Sequence, residues 1–289
     1  MELIEPRAVH PALIDAVAVA GVALAGSIAL APVLVLLAVF TGRSVTVAVW
    51  GLWLMLGVIC CARWPSNVLA RAIGSRTPRP EDELVVLRHA LVRACIPAGV
   101  DPESIILRVA LGKINAYSSG RDVVALTEDL LSGDRAVEAT QIEALIAHEL
   151  GHHRHGDTLL GGAVWWYRAP LVAIHRVGRM LGRIPLVGTL LETSITMLLL
   201  AVLWPVHVAW HVASIPREFL ADRFAVDCGY GIPLERFFTG LARYESYWSS
   251  GLLTVFAASH PPMADRIARI QDAFVDEADT YIIGEEKPR

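Results

Sequence analysis

His148-Glu149-Leu150-Gly151-His152 carries the clearest chemistry in the sequence. Histidines at i and i+4 stand one above the other on a helix face, so their imidazoles can converge on one tetrahedral cation. Glu149, beside them, is placed to take a proton from a water that such a cation activates. The bland alternative is a solvated helix face that holds the pattern by chance. Ile142, Leu145, Ile146 and Leu150 argue against it, because they give a helix over Thr140 to His155 an apolar anchor. His153 and His155 add imidazoles, out of phase with the pair.

A catalytic zinc needs three protein ligands and an open position for water. Downstream, Arg217-Glu218-Phe219-Leu220-Ala221-Asp222 places two carboxylates at i and i+4, on a helix expected to start after Pro216. One of them can bind metal while the other steers a ligand histidine through its free ring N–H. Taken alone, Glu218 and Asp222 read as a mildly repelling pair on a surface helix. Paired with the upstream motif, they read as ligand and support.

The elements that must position these residues are mostly helical, with a small sheet. Glu83 to Ala98 is amphipathic, with Leu84, Leu87, Leu91 and Cys95 near helical spacing. Ile105 to Val109 is strand-like. Ala116-Tyr117-Ser118 and Val123 to Thr127 flank the turn Ser119-Gly120-Arg121-Asp122. The expected fold is therefore mainly α with a small β-sheet (α+β), the sheet preceding the metal helix. The proline-bearing stretch Thr77 to Glu83 marks a boundary between an N-terminal part, 1–76, and a catalytic part, 77–289.

The N-terminal part is expected to be a membrane anchor. Ala16 to Phe40 holds no charged residue, and a bilayer core of about 30 Å needs about 20 apolar residues in a helix. Val45 to Ala62 follows after the Gly42 turn, so the two transmembrane helices, about 16–40 and 45–62, form a hairpin. The acidic start, Met-Glu-Leu-Ile-Glu, is unlike a cleaved leader. Arg63, Arg71, Arg76 and Arg79 follow the second helix and only Arg43 lies in the connection, which places both ends in the cytoplasm. A second apolar helical region, about 158–214, is interrupted by Arg168, Arg176, Arg179 and Arg183. It is expected to span or lie at the interface, with Arg176, Arg179 and Arg183 suited to anionic headgroups. A buried soluble hairpin is the alternative.

Composition agrees with this. Of 289 residues 54% are apolar, against 45–50% in soluble domains. The net charge of -4 leaves no basic footprint for nucleic acid. Four cysteines without a C-x-x-C pair argue against a cysteine zinc site.

Four segments together resemble the HtpX-type membrane zinc metalloproteases, relatives of the CAAX prenyl endopeptidases. They are Asn115-Ala116-Tyr117-Ser118-Ser119-Gly120, His148 to His152 with Gly156-Asp157, Arg217 to Asp222, and Ser259-His260-Pro261-Pro262-Met263-Ala264-Asp265-Arg266-Ile267. The resemblance spans most of the chain; the arginine-interrupted apolar region departs from it and leaves the number of spans open. It implies a zincin-like domain, one Zn²⁺ per chain, Glu218 as third ligand and Glu149 as general base. It also implies protein or peptide substrates, among them damaged membrane proteins, and an integral protein of the bacterial plasma membrane with a cytoplasmic catalytic domain. Asp222 would support the ligands from behind. His260 and Arg266 are candidates to stabilise the oxyanion, with anchoring of the Pro261-Pro262 turn as the structural alternative. Asn115, Ala116, Tyr117 and Ser118 can pair with an extended substrate as an added strand. An inactive zinc-binding membrane scaffold, a regulatory protease acting on one repressor and a zinc hydrolase of small molecules are the competing functions. An intact Glu149 speaks against the scaffold, and a regulatory protease is expected to bring an added sensor domain.

Overall fold

The computed structural model describes residues 11–60, 67–68, 70–71, 74–112, 114–132, 137–184, 188–245 and 261–284. The chain divides into two compact units, 1–62 with 160–213, and 63–159 with 214–289. The described residues are mostly helical, with one four-stranded sheet.

The first unit is helical. Helices α1 (Pro11–Thr41) and α2 (Arg43–Ile59) are joined at Gly42, whose φ of 88° suits a residue without a side chain. Trp50 Nε1 donates to Ser27 Oγ across the hairpin. Within α1, Val19–Thr41 has a mean hydropathy of 2.6 and is 17% buried, and it is long and apolar enough to cross a membrane. Helix α2, at 17 residues, is apolar but shorter. Later in the chain come α6 (Leu159–Leu181) and α7 (Gly188–Ala225), reached after the elements of the second unit given below. Small residues let the helices approach: a side chain at Gly57 would collide with the Tyr167 ring, and one at Gly162 with the Cys60 carbonyl. Tyr167 and Trp166 then donate to the carbonyls of Leu54 and Trp53, and the Trp53 and Tyr167 rings meet edge to face at 5.3 Å.

The second unit holds the sheet. Strands β1 (Ser75–Arg76), β2 (Ile106–Ala110), β3 (Ala116–Ser119) and β4 (Val123–Thr127) lie in the order β1-β2-β4-β3. β2 runs parallel to β4, while β1 and β3 are antiparallel to their neighbours, with Tyr117 and Arg108 both opposite Ala125. Alternation along β2 sends Leu107 and Val109 into the core, where α3 (Glu83–Ala98) packs through Leu87, Leu91 and Cys95. Asp82 caps α3 and Gly99 ends it in the left-handed conformation. A short helix α4 (Glu128–Ser132) follows β4. Helix α5 (Ala139–His155) lies against the same core through Ile142, Leu145, Ile146 and Leu150; a capping box of Glu138 and Gln141 starts it and Gly156 stops it. After α7 a π-type segment, Val226–Tyr230, kinks at Gly229 and leads into α8 (Gly231–Glu245). Helix α9 (Met263–Gly284) completes the unit, with Ile270 and Ala273 in the core.

Two features depart from the sequence expectations. The helix bearing Glu218 does not begin after Pro216: α7 runs from Gly188 through that residue to Ala225. Proline removes one N–H, and the exposed Pro216 is accommodated within this 38-residue helix. Strand β1 was not foreseen, since two residues carry no periodicity.

Candidate active site

α5 and α7 come together where both lack bulk. A Cβ at Gly151 would fall 2.9 Å from Ala221 Cα, so glycine on one helix and alanine on the other permit the approach. Residues one turn away on each helix are thereby brought face to face. His148 Nε2 lies 3.6 Å from one Glu218 oxygen and His152 Nε2 3.5 Å from the other. The imidazoles stand edge to face, 4.8 Å between centroids. The three donor atoms lie within 4.8 Å of one another, and all three residues are largely enclosed.

Behind each histidine stands a carboxylate. His148 Nδ1 is 2.9 Å from Asp222 Oδ1, and His152 Nδ1 is 3.2 Å from Asp157 Oδ2. Such partners fix the ring and leave Nε2 free to bind metal. Arg266, from α9, clamps Asp222 with two donors at 2.8 and 2.6 Å and approaches Glu218 Oε2 at 3.4 Å. Arg217 Nε lies 3.5 Å from Asp157. Sequence reasoning gave no role to Asp157 or Arg217; the usable signal was the Gly-Asp tail of the histidine motif. Gly156, at φ 77°, ends α5 and folds the chain back so that the Asp157 N–H reaches the His152 carbonyl.

The donor set suits a cation. Burial pulls the His148 imidazolium down, yet the Asp222 and Glu218 carboxylates outweigh it and the group is pushed up to about 9. Burial also opposes the Asp222 charge, but Arg266 and His148 hold its carboxyl below the usual range. Even with Arg266 beside them, Glu149, Glu218 and Asp222 leave carboxylates in excess around two imidazoles, and a metal ion would answer that excess in place of a proton. Glu149 is 4% exposed, and among the described residues no group hydrogen-bonds its carboxylate.

Of the other named residues, β3 holds Ala116, Tyr117 and Ser118 at an edge of the sheet, with Asn115 just before it. The Asn115 N–H donates to Thr127 Oγ1, and its side-chain oxygen accepts from the Ala116 N–H. His260 lies outside the described residues. His153 and His155 turn away from the cage, His153 Nε2 to the Val123 carbonyl and His155 Nδ1 to the Gly151 carbonyl. Thr158, buried, is hydrogen-bonded through its hydroxyl and carbonyl to Gly120, so the end of α5 is stitched to the β3–β4 turn.

Comparisons with known proteins agree with this geometry. Residues 86–273 match the profile of peptidase family M48. A protease HtpX homologue of Leptothrix cholodnii is 26% identical over 243 residues, covering 73% of this chain and 78% of that protein. Another, from Campylobacter concisus, is 29% identical over 195 residues, covering 54% of this chain and 64% of that protein. The fold is shared with the crystal structure of S. mikatae Ste24p, at a TM-score of 0.50 and 17% identity. That match covers 86% of this chain but 62% of the other, so this chain spans less than two thirds of that structure's length. The family match takes in the helices that bear both halves of the site, and the chain is a metalloprotease belonging to peptidase family M48.

Proposed function

We propose that the protein is a zinc-dependent endopeptidase held in a membrane, with His148, His152 and Glu218 as ligands of one Zn²⁺ per chain. The observation that carries this is the spacing of the donors. Both imidazoles face the Glu218 carboxylate, one at each oxygen, at 3.6 and 3.5 Å, and one donor atom from each residue lies within 4.8 Å of the others, a cluster that a single zinc ion would draw together. Bound zinc supplies a Lewis acid and a water of lowered pKa. Glu149, between the ligand histidines on α5 and without a competing hydrogen bond among the described residues, would accept a proton from the attacking water and pass it to the leaving amine. Asp222 and Asp157 hold the histidine rings. Arg266 and His260 are the candidates to donate to the oxyanion; the contacts of Arg266 support an added duty, anchoring Asp222 beside His148.

The position of β3 supports its reading as the substrate strand. In an antiparallel pair alternate residues turn their N–H and C=O toward the partner or away from it. Asn115 bonds Thr127, which turns Ser118 and the Ala116 carbonyl to the open edge, where an extended peptide can add, while the Ala116 N–H is held by the Asn115 side chain.

Membrane placement is supported by the exposed apolar length of α1 and by the small-residue packing of the first unit. We read 1–76 as the anchor, with both ends cytoplasmic, 77–289 as the peptidase domain, and the region about 158–214 as a spanning or interfacial insertion. Substrates are then proteins or peptides at the membrane, misfolded membrane proteins among them, in a bacterial plasma membrane.

The test is casein digestion by detergent-purified protein with parallel metal analysis. One zinc per chain, activity abolished by a chelator and restored by zinc, and loss of zinc from Glu218→Ala are expected. Stoichiometric zinc retained by Glu218→Ala would remove Glu218 from the ligand set.

A further inference from the structure

Three arginines of the first unit take no part in the peptidase chemistry. Arg176 and Arg179 lie on α6 and Arg183 in the turn after it, all exposed. Their spacing, i, i+3 and i+7, keeps them on one side of the helix and its continuation. None of the three forms an ion pair among the described residues. With Met180 and Glu192 they line a concavity of about 340 Å³. Glu192 comes from α7, and its carboxylate packs against Gly182, where a side chain would collide with it. Three guanidiniums against one carboxylate leave the concavity with two positive charges. Val177, Ile184, Leu190 and Leu191, near the lining residues in sequence, are exposed apolar side chains.

We propose that this concavity binds the headgroup phosphate of an anionic phospholipid. Guanidiniums present paired donors that match phosphate oxygens. Those apolar side chains can enter the acyl boundary while the arginines stay at the headgroups. A zwitterionic lipid also carries a phosphate, but its own cation leaves the excess positive charge unanswered. Glu192 sets the strength of the site, because it neutralises one of the three arginines. The proposal rests on the membrane reading of the first unit and is independent of proteolysis.

The experiment is native mass spectrometry of the full-length protein in detergent, titrated in turn with phosphatidylglycerol, phosphatidylcholine and inorganic phosphate. Phosphatidylglycerol should bind preferentially. Joint replacement Arg176→Gln, Arg179→Gln and Arg183→Gln should weaken it by roughly a hundredfold, from the usual effect of three basic residues at an anionic surface. Glu192→Gln should tighten binding, a change of sign that misfolding cannot produce. Arg168→Gln, on the same helix outside the concavity, should leave binding unchanged. Equal binding of the two lipids, displacement by inorganic phosphate, or the same loss in Arg168→Gln would overturn the site. Recovery of the protein from the soluble fraction without detergent would instead overturn the membrane reading beneath it.

Discussion

Ten consecutive residues of α5, Ile142 to Gly151, are buried, and three of them, Glu143, His148 and Glu149, are ionisable. Along α1 the reverse holds: Leu24, Val33, Val35, Val39 and Phe40 are 60% to 81% exposed. Each arrangement is costly in water. A buried charge without a partner loses its hydration, and a long exposed apolar face invites association. α5 meets the first cost with partners, since Arg93 reaches Glu143 at 2.9 Å and Asp222 reaches His148. Among the described residues no group hydrogen-bonds Glu149, which agrees with the proposal that it is kept for reaction. α1 meets α2 in the hairpin, yet most of its apolar stretch stays exposed among the described residues, and the proposed non-aqueous solvent would remove that cost. One helix is built to hold charge away from water, the other to do without water.

The sharpest break would come at Glu149. Glutamine keeps its shape and removes its basicity, so Glu149→Gln should bind zinc normally and lose about 10²–10⁴-fold in proteolytic rate. Casein digestion with zinc analysis decides; an undiminished rate means that the bare carboxylate is not there for chemistry. The other pole is tested by Val33→Arg, near the middle of the apolar stretch of α1. In hydrocarbon an arginine there costs about 2.5–3.5 kcal/mol, so the yield of membrane-inserted protein should fall. An unchanged yield and an unchanged thermal midpoint would place that face in water.

Smaller effects sharpen the picture within the cage. Asp157→Asn should weaken zinc binding by about 10–100-fold, as the loss of a carboxylate behind a ligand histidine usually does. Competition with a chromogenic chelator reads this, and saturating zinc should restore most activity. Smallest is the effect of a charge cluster at the start of α3. Hydrogen bonds from Arg76 hold the Glu83 carboxyl at about 2, below its usual 4.5. Because the folded value is depressed, the stabilisation is present above about pH 4.5 and is lost as pH falls toward 2. Glu83→Gln should flatten that part of the acid unfolding profile and leave activity at neutral pH unchanged.

Much of this was legible from local pattern. The i,i+4 histidines and the apolar phase of α5 gave the helix and its chemistry, and α3, β2, β3 and β4 followed from periodicity and turn residues. The parallel pairing of β2 with β4 was not legible, because a five-residue apolar run does not say which strand it will meet. Nor was the passage of α7 through Pro216, a matter of one missing hydrogen bond set against a long helix. Asp157 and Arg217 escaped for a related reason. Their contact joins residues sixty apart in sequence, and neither belongs to a periodic face. Arg266 was singled out for its chemical type, while its clamp on Asp222 depends on how α9 packs.

Gly156 has a consequence for the order in which the site assembles. By stopping α5 and reversing the chain, it lets Asp157 reach a histidine only one turn behind it. Both imidazoles and the support of one of them thus come from a single stretch of ten residues. That half can take shape once α5 exists, during synthesis, before Glu218 has left the ribosome. Two neutral imidazoles alone make a weak and uncharged grip. If Glu218 is the third ligand as proposed, secure capture of metal waits for α7, and a nascent chain would stay catalytically silent until both halves of its second unit are complete.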